Sequence, residues 1–155
     1  MAPRRTAQAL ALLIPLGLIG GALYSQYVGG LFPCEMCMWQ RYPHYAAIAL
    51  AALSFAAKPV RDLLVWLAAI GIAISGAIGA FHAGVEYKWW EGLTQCATTF
   101  GSGGSALDAI MNAPLVRCDV APWHLLGISL AGWNAIISLG GALVIVALML
   151  KRQRR

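Results

Sequence analysis

The stretch ALALLIPLGLIGGALYSQYV, residues 9–28, decides what kind of fold this chain adopts. It contains no charged side chain, and a helix of about 20 residues crosses the ~30 Å hydrocarbon core of a bilayer. Three further apolar stretches follow at about residues 38–57, 63–81 and 123–150. The sequence therefore predicts an all-α membrane protein: a bundle of four transmembrane helices, with residues 1–155 forming a single integral membrane domain.

The overall composition supports the same prediction. Hydrophobic residues make up 60% of the chain and charged residues 11%, whereas soluble chains average about 25% charged residues. So few polar side chains cannot cover a globular domain in water, which excludes a soluble enzyme, a disordered tail and a fibrous repeat. The net charge of +5 forms no basic stripe, so a lipid bilayer is predicted as a partner and nucleic acid is not.

The positions of lysine and arginine predict how the bundle is oriented. With four spans, both chain ends and the turn at residues 58–61 lie on one side of the membrane, which then carries eight of the eleven basic residues. Because cytoplasmic segments are enriched in Lys and Arg, both termini are predicted to be cytoplasmic. The connections at about residues 29–37 and 82–122 then lie on the opposite side.

The longer of these two connections is predicted to contain one element of its own. Residues 105–108 resemble a helix-capping pattern. Leu107, Ile110 and Met111 follow at a spacing that places them on one helical face. This pattern predicts a short amphipathic helix on the membrane surface.

All four cysteines, Cys34, Cys37, Cys96 and Cys118, fall in the two exported connections. Cysteines in an oxidising compartment usually form disulfides, so two disulfides are expected. Purely structural disulfides and a zinc site are two alternative interpretations; the single CxxC disfavours zinc, and no metal is predicted. The motif Cys34-Glu-Met-Cys37 closes a very short ring and is typical of a redox-active pair.

At this point the sequence resembles a known family. The segment Pro33-Cys34-Glu-Met-Cys37-Met-Trp-Gln-Arg41 resembles the signature of the DsbB disulfide-bond oxidoreductases, and the start of the last span, Trp123-His-Leu-Leu-Gly127, is also similar. The resemblance implies a multi-pass enzyme of the bacterial inner membrane with its cysteine loops in the periplasm. Such an enzyme reoxidises DsbA, a thioredoxin-fold periplasmic oxidase, and passes the electrons to a membrane quinone.

The resemblance also implies a role for the cysteines of the long connection. Cys96 and Cys118 would form the disulfide that meets the DsbA-like partner. Within this pair, Cys96 would form the mixed disulfide with the partner.

A second set of residues is implied to act at the quinone, either ubiquinone or menaquinone. Cys34 and Cys37 would form the disulfide next to it, with Cys37 nearest the ring and Arg41 beside it. His82 stands where the family has a histidine close to the quinone.

The residues around Cys37 are consistent with this role on physical grounds. If Cys37 lies in the first turn of a helix, the helix N-terminus supplies partial positive charge, and Arg41 adds a cation four residues later on the same face. Arg41 as an interfacial anchor is the alternative. Pro43 leaves the helix start open, because a proline is tolerated in the first turn; the span length favours a start before it.

Two alternative functions remain at this stage. His44, His82 and His124 all fall at the exported ends of predicted spans, and histidines that face one another across a bundle can ligate haem. A haem would leave the four cysteines unexplained, and His44 and His124 are also typical of interfacial polar positions. A non-enzymatic membrane scaffold with structural disulfides is the other alternative.

Overall fold

Four long helices dominate the computed structural model, which describes residues 2–92, 97–98 and 115–153. They are α1 (Ala2–Tyr27), α2 (Glu35–Ala56), α3 (Arg61–Glu86) and α4 (Leu130–Gln153). Within these described segments, α1, α3 and α4 are long and apolar enough to cross a membrane. The prediction of a helical membrane protein is confirmed. That α2 also crosses the bilayer stays a prediction, and the surface helix predicted at residues 105–111 lies outside the described residues.

Helices α2 and α3 both extend beyond the predicted bounds, α2 at its start and α3 at its end. Helix α2 begins at Glu35 rather than near residue 38, so Cys37 lies in its first turn and not in the preceding connection. Helix α3 ends at Glu86 rather than near residue 81, so His82 is helical and not part of a loop. The hydrophobic pattern does not predict these helical turns, because they carry polar side chains that face other helices rather than lipid.

Pro43 lies in the interior of α2, at the ninth residue, and not in its first turn. A proline at this depth leaves one carbonyl of the helix without its usual N–H donor. The backbone of α3 comes close at the same level, since a Cβ added to Gly71 would lie 3.1 Å from the carbonyl oxygen of Pro43. A small residue on α3 therefore faces the irregular part of α2.

The last span predicted at residues 123–150 is corrected at its start, since α4 begins only at Leu130. Two short antiparallel strands precede it, β3 (His124–Leu125) and β4 (Ile128–Ser129). Earlier in the chain, β1 (Ala97–Thr98) and β2 (Leu115–Val116) form another antiparallel pair. The turn residues Leu126 and Gly127 have φ values of 54° and 77°, as a tight hairpin turn requires. This left-handed backbone cannot continue a helix, which explains the later start.

Helices α1 and α3 each pack against both α2 and α4, and the contacts of α3 are the more extensive. The core near the basic end is built mainly from alanine, with few larger side chains. Its fully buried members are Ala7, Ala11, Ala47, Ala51, Val65, Ala68, Ala69, Ile72, Ala142, Ile145 and Met149. Small side chains let helix backbones approach closely, which is how helices associate in lipid.

Polar contacts hold this same end together. The guanidinium of Arg4 and the carboxylate of Asp62 form a salt bridge of 3.0 Å between α1 and α3. The side-chain amide of Gln8 donates a hydrogen bond of 2.9 Å to the Ser54 hydroxyl of α2. The starts of α1 and α3 and the end of α2 are therefore fixed relative to one another.

Replacing Gly79 with alanine is expected to destabilise the bundle by about 1–3 kcal/mol through overpacking. A Cβ at this position of α3 would lie 2.9 Å from Nδ2 of Asn134 and 3.0 Å from the carbonyl oxygen of Ala131 on α4. Thermal unfolding in detergent measures the effect. Gly20→Ala is the matched control, because nothing lies within 4 Å of its added Cβ. Equal unfolding temperatures for the two variants would contradict the close packing of α3 on α4.

Candidate active site

The Cys34-Glu-Met-Cys37 motif lies at the start of α2. Cys34 is the N-cap residue, and its sulfur accepts a hydrogen bond of 3.2 Å from the backbone N–H of Cys37. The two sulfur atoms are 2.6 Å apart. The first turn of a helix has unpaired N–H groups and a partial positive charge. The location therefore stabilises negative charge on sulfur, as thiolate chemistry requires.

A third cysteine, Cys118, contacts this pair. Its side chain is buried and hydrogen bonds to that of Cys34. This bond, a second one to Cys37 and burial together raise the pKa of the Cys34 thiol. The side chains of Cys34 and Cys118, which come from different segments of the chain, are thus in direct contact.

His82 of α3 lies against the same three cysteines. Its Nε2 is 3.6 Å from the Cys34 sulfur and 3.2 Å from the carbonyl oxygen of Cys118. The sulfurs of Cys34 and Cys37 and a ring nitrogen of His82 all lie within 4.8 Å of one another. That spacing is also compatible with a shared metal ion, so the protonation of His82 matters for what the site binds.

The other ring nitrogen of His82 contacts Gln40, which belongs to α2. Nε2 of Gln40 is 2.9 Å from Nδ1 of His82 and 3.1 Å from the carbonyl oxygen of Met36. Oε1 of Gln40 accepts a hydrogen bond of 2.8 Å from Nδ2 of Asn134 on α4. Gln40 therefore connects three helices at the level of the cysteines.

Asn134 extends this network deeper into the bundle. Its Nδ2 also donates to the carbonyl oxygen of Ser75 at 3.2 Å, and its Oδ1 accepts from the Ser138 hydroxyl at 2.9 Å. Nε2 of His44 lies 3.0 Å from the same Oδ1. His44 is buried rather than interfacial, and its Nδ1 has no hydrogen-bond partner among the residues that the structure describes.

Arg41 is buried between α1 and α2, with only 8% of its surface exposed. Its guanidinium donates to Oε1 of Gln26 at 2.6 Å and to the carbonyl oxygen of Ala22 at 3.4 Å. No carboxylate of the described residues lies within salt-bridge distance of it. A buried cation with only neutral partners favours an electron-rich group beside it, whereas an interfacial anchor extends to water.

Two cavities meet at the cysteine motif. The first, of about 230 Å³, lies between α1, α2 and α4. It is lined by apolar residues of α1 and by a few polar side chains, among them Cys37, Arg41, His44, His82 and Asn134. The second, of about 320 Å³, lies under the segment that carries Cys118 and includes Cys34 in its lining. Cys37, His82 and Glu86 line both cavities.

Glycines of α1 give the first cavity its room. Gly17 and Gly21 form a spacing that often packs helices together, but an added Cβ at either would meet nothing within 4 Å. Both line the first cavity. Here the small residues leave space beside Arg41 instead of closing a helix contact.

Most of the residues predicted to act together do meet in this structure. Cys34, Cys37, Arg41 and His82 line one or both of the two cavities, and Cys118 contacts Cys34. Cys96 lies outside the described residues. His124 is exposed on β3.

Comparison with known proteins decides the family. The model of the family described as disulfide bond formation protein DsbB matches residues 4–148. The chain belongs to the DsbB family. It therefore acts in disulfide bond formation as a multi-pass membrane thiol–disulfide oxidoreductase, and the haem and scaffold alternatives are not favoured.

Individual DsbB relatives align over nearly the whole chain. Disulfide bond formation protein B of Polaromonas sp. is 32% identical over 162 residues, which cover 98% of this chain and 95% of the relative. The protein from Burkholderia ambifaria is 33% identical, with 100% and 95% covered. Disulfide bond formation protein B 1 of Pseudomonas putida is 34% identical, with 92% and 88% covered. No solved structure matches the chain.

The sequence analysis missed several polar residues of this DsbB site: Gln40, Ser75, Glu86, Asn134 and Ser138. Glu86 is notable because its side chain is 3% exposed and its Oε1 lies 3.8 Å from Nε2 of His82. Its carboxylate hydrogen bonds to Ser129, while Oε2 has no partner within the described part of the chain. One signal pointed to Asn134, since a polar residue within a predicted span usually faces the protein interior and serves a function.

An ion cluster fixes the segment that carries Cys118. Asp119 accepts hydrogen bonds from the Arg117 guanidinium at 2.6 and 2.8 Å and from Nζ of Lys88 at 2.7 Å. Arg117 and then Lys88 hold the pKa of the Asp119 carboxyl well below its usual range. For a carboxyl with a lowered pKa, the stabilisation is complete above about pH 4 and is lost as the pH falls through the lowered pKa. Lys88 follows the end of α3, so the cluster joins that helix to the Cys118 segment.

We expect Asp119→Asn to expose Cys118. Loss of the carboxylate weakens the bonds to Lys88 and Arg117, so the segment opens more often and Cys118 of the reduced protein is alkylated several-fold faster. Mass spectrometry of alkylated peptides measures the rate at neutral pH. Glu91→Gln makes the same change of charge at an exposed site and should leave the rate unchanged. Equal rates for the two variants would show that the cluster does not hold Cys118.

Proposed function

We propose that this chain reoxidises a periplasmic DsbA-like thioredoxin-fold oxidase and passes the electrons to a membrane quinone, ubiquinone or menaquinone. The observation that carries the proposal is the position of the Cys34–Cys37 motif. It lies between Cys118 on one side and, on the other, an apolar cavity that contains Arg41.

The contact between Cys118 and Cys34 supports a route for electrons between two disulfides, Cys96–Cys118 and Cys34–Cys37. A partner thiolate attacks Cys96, and Cys118 is released as the leaving thiolate. Cys118 then attacks Cys34, which forms a Cys34–Cys118 bond and releases Cys37 as a thiolate. The partner's second thiolate displaces Cys96 from the mixed disulfide, so that the partner leaves oxidised. Cys96 then attacks Cys118, which restores the Cys96–Cys118 disulfide and releases Cys34, leaving Cys34 and Cys37 reduced. The antiparallel pairing of Ala97 with Val116 supports the first disulfide, because it joins the chain next to Cys96 to the chain next to Cys118.

The first cavity fits a quinone by the chemistry of its lining. Quinones are flat, mostly apolar molecules with two carbonyl oxygens. The cavity combines apolar α1 residues with a buried guanidinium whose partners among the described residues are neutral, and the buried His44 side chain also lines it. Ligand sites typically have this combination of an apolar lining with a few polar groups.

Within that cavity, Cys37 and Arg41 have different roles in the proposed reaction. Cys37 is the motif cysteine that lines the cavity, and the helix N-terminus stabilises its thiolate. The Arg41 guanidinium, held by Gln26, is a fixed donor for a carbonyl oxygen and for negative charge near the sulfur. A bound quinone supplies an acceptor for two electrons and two protons, which the thiols of Cys34 and Cys37 release as their disulfide re-forms.

The redox potentials support a quinone as the final acceptor. A DsbA-type oxidase has a potential of about −120 mV, whereas structural disulfides typically lie below about −300 mV. A protein disulfide of the ordinary kind therefore cannot reoxidise such a partner. A lipid-soluble acceptor that reaches the site through the bilayer can, and residues of α1 line the first cavity.

The proposed location follows from the same features. We place both termini in the cytoplasm and the cysteines at the periplasmic side of the bacterial inner membrane, with α2 as the fourth span. At 22 residues, α2 is about 33 Å long. Its polar residues Gln40, Arg41 and His44 are buried in the bundle, so they need not meet lipid.

Anaerobic reduction of quinone by a reduced thioredoxin-fold oxidase tests this function, and Arg41 gives the sharpest test. Arg41→Ala removes a charged hydrogen bond, worth about 1.5–3 kcal/mol, so the KM for quinone should rise about tenfold or more. Arg41→Lys keeps the charge but loses the planar guanidinium, so its KM for quinone should lie between those of the parent and Arg41→Ala. The measurement is the initial rate against quinone concentration at a fixed partner concentration.

Arg5→Ala is the control for the Arg41 variants, since Arg5 is exposed at the start of α1. It should leave the quinone dependence of the parent unchanged. If Arg41→Ala also keeps that dependence and only its yield in the membrane falls, Arg41 is a structural anchor and not part of a quinone site.

The division of labour in the second pair predicts a trapped complex. In a Cys118→Ala protein, the Cys96 thiolate attacks the disulfide of an oxidised partner, one partner sulfur leaves, and no Cys118 remains to displace the other. A Cys96-linked mixed disulfide should therefore accumulate on non-reducing gels. A Cys96→Ala protein that traps the partner equally well would show that the two roles are reversed.

A further inference from the structure

Two backbone carbonyls determine how the buried amides of Gln40 and Asn134 are oriented. A carbonyl oxygen only accepts hydrogen bonds, so the Asn134 atom 3.2 Å from the carbonyl oxygen of Ser75 is the NH₂ nitrogen. By the same reasoning, the Gln40 atom 3.1 Å from the carbonyl oxygen of Met36 is its NH₂ nitrogen. The two assignments agree, because they place Nδ2 of Asn134 against Oε1 of Gln40 at 2.8 Å.

The orientation of Gln40 decides which nitrogen of His82 carries the proton. Nδ1 of His82 lies 2.9 Å from the NH₂ group of Gln40, so Nδ1 must accept a hydrogen bond. A neutral imidazole that accepts at Nδ1 carries its proton on Nε2.

The surroundings of Nε2 agree with this assignment. The nearest polar atom, the carbonyl oxygen of Cys118 at 3.2 Å, only accepts hydrogen bonds, and the sulfur of Cys34 at 3.6 Å and Oε1 of Glu86 at 3.8 Å are both able to accept one. In the other neutral tautomer and in the doubly protonated imidazolium, Nδ1 carries a proton. Either state would place two N–H donors against each other at the contact with Gln40.

We propose that Gln40 and Asn134 are positioning residues that hold His82 as the neutral tautomer protonated on Nε2, making it a hydrogen-bond donor to the redox cysteines and denying a nitrogen ligand to metal ions. The juxtaposition that carries this is the row of hydrogen bonds from Ser75 through Asn134 and Gln40 to His82.

The tautomer matters for the sulfur exchange. Nε2–H faces the Cys34 sulfur and holds the carbonyl oxygen of Cys118, so one donor keeps the exchanging residues together. It also stabilises negative charge that develops on the sulfurs as one disulfide replaces another. A histidine protonated on Nδ1 would present a lone pair to the same sulfurs and lose both contacts.

The tautomer also matters for metals. Reduced Cys34 and Cys37 with His82 have the donor set and spacing of a soft-metal site, and zinc binds thiolates and imidazole nitrogens. Ligation through Nε2 requires a lone pair there, and hence a proton on Nδ1 against the Gln40 donor. The amide row therefore keeps a reduced dithiol available for electron transfer rather than metal binding.

This inference rests on the proposed function only in taking Cys34–Cys37 as the redox pair. The protonation state itself is a property of the folded protein and needs no partner or quinone. Its test is accordingly a spectrum and a metal titration, neither of which depends on turnover.

The first test is a proton–nitrogen correlation spectrum of the reduced full-length protein, labelled with ¹⁵N-histidine in detergent micelles. The chain has three histidines, and substituting His44 and His124 in turn assigns the His82 signals. We expect the His82 nitrogen coupled to both ring C–H protons, Nε2, at the shift of a protonated nitrogen and Nδ1 at that of an unprotonated one. A parent spectrum with Nδ1 of His82 protonated would overturn the proposal.

Variants then test the row of amides. Gln40→Glu replaces the donor with an acceptor and should move the His82 proton to Nδ1. Residue 134 makes no contact with His82, but Asn134→Asp replaces the donor to Oε1 of Gln40 with an acceptor. This favours a Gln40 amide rotated so that its NH₂ group faces residue 134, and the spectrum should show a mixture of both His82 tautomers. Gln8→Glu makes the same chemical change at a buried glutamine that bonds to Ser54 and should leave the His82 spectrum unchanged.

Zinc titration of the reduced proteins supplies a second readout. His82→Ala should leave the Zn²⁺ affinity of the parent unchanged, because His82 offers no lone pair at Nε2. Gln40→Glu should raise that affinity about tenfold or more, the scale on which hydrogen-bond partners of metal ligands act, and Gln40→Glu with His82→Ala should lose the gain. A marked drop in affinity for His82→Ala alone would show that His82 ligates metal in the parent, which contradicts the proposal.

Discussion

The hydrogen bond of 2.8 Å between the side chains of Gln40 and Asn134 is the interaction on which the geometry of this site depends. It joins α2 to α4 inside an apolar bundle, where an unpaired amide costs about 1–3 kcal/mol. Each amide must therefore find its partners within the protein, and each finds a backbone carbonyl as well. Cys37 and Arg41 sit on the same turns of α2, so fixing Gln40 also fixes where the sulfur and the cation lie relative to α4.

Small residues serve two opposite purposes around this bond. On α3, Gly79 lets the helix approach so closely that an added Cβ would lie 2.9 Å from the Asn134 amide; the polar network forms because the backbones are that near. On α1, Gly17 and Gly21 face open space and line the first cavity. Glycine thus brings α3 close to α4 at one place and leaves open space beside α1 at another, where the proposed quinone would enter from lipid.

Much of the fold could be predicted from local pattern, because long uncharged runs and the CxxC motif are strong signals. What could not be predicted depends on tertiary contacts. The apolar run at the end of the chain continues without a break, yet the left-handed turn at Leu126 and Gly127 delays α4 to Leu130. His44 reads as an interfacial residue until Asn134 is seen to face it. Periodicity gives the face of a helix but not the polar residue opposite it on another helix.

Two separate cavities give the proposed reaction a simple physical logic. The proposed partner is a protein and the proposed acceptor is a lipid-soluble molecule, so no single pocket suits both. The cavity beside Cys118 and the cavity beside Arg41 share Cys37, His82 and Glu86 as a common wall. In the proposed reaction, electrons pass between the two cavities by thiol–disulfide exchange, which needs sulfur atoms to move by only a few ångströms. Neither reactant therefore has to enter the cavity of the other. A donor held on Nε2 of His82 within the wall serves each stage of that exchange, whichever sulfur carries the charge.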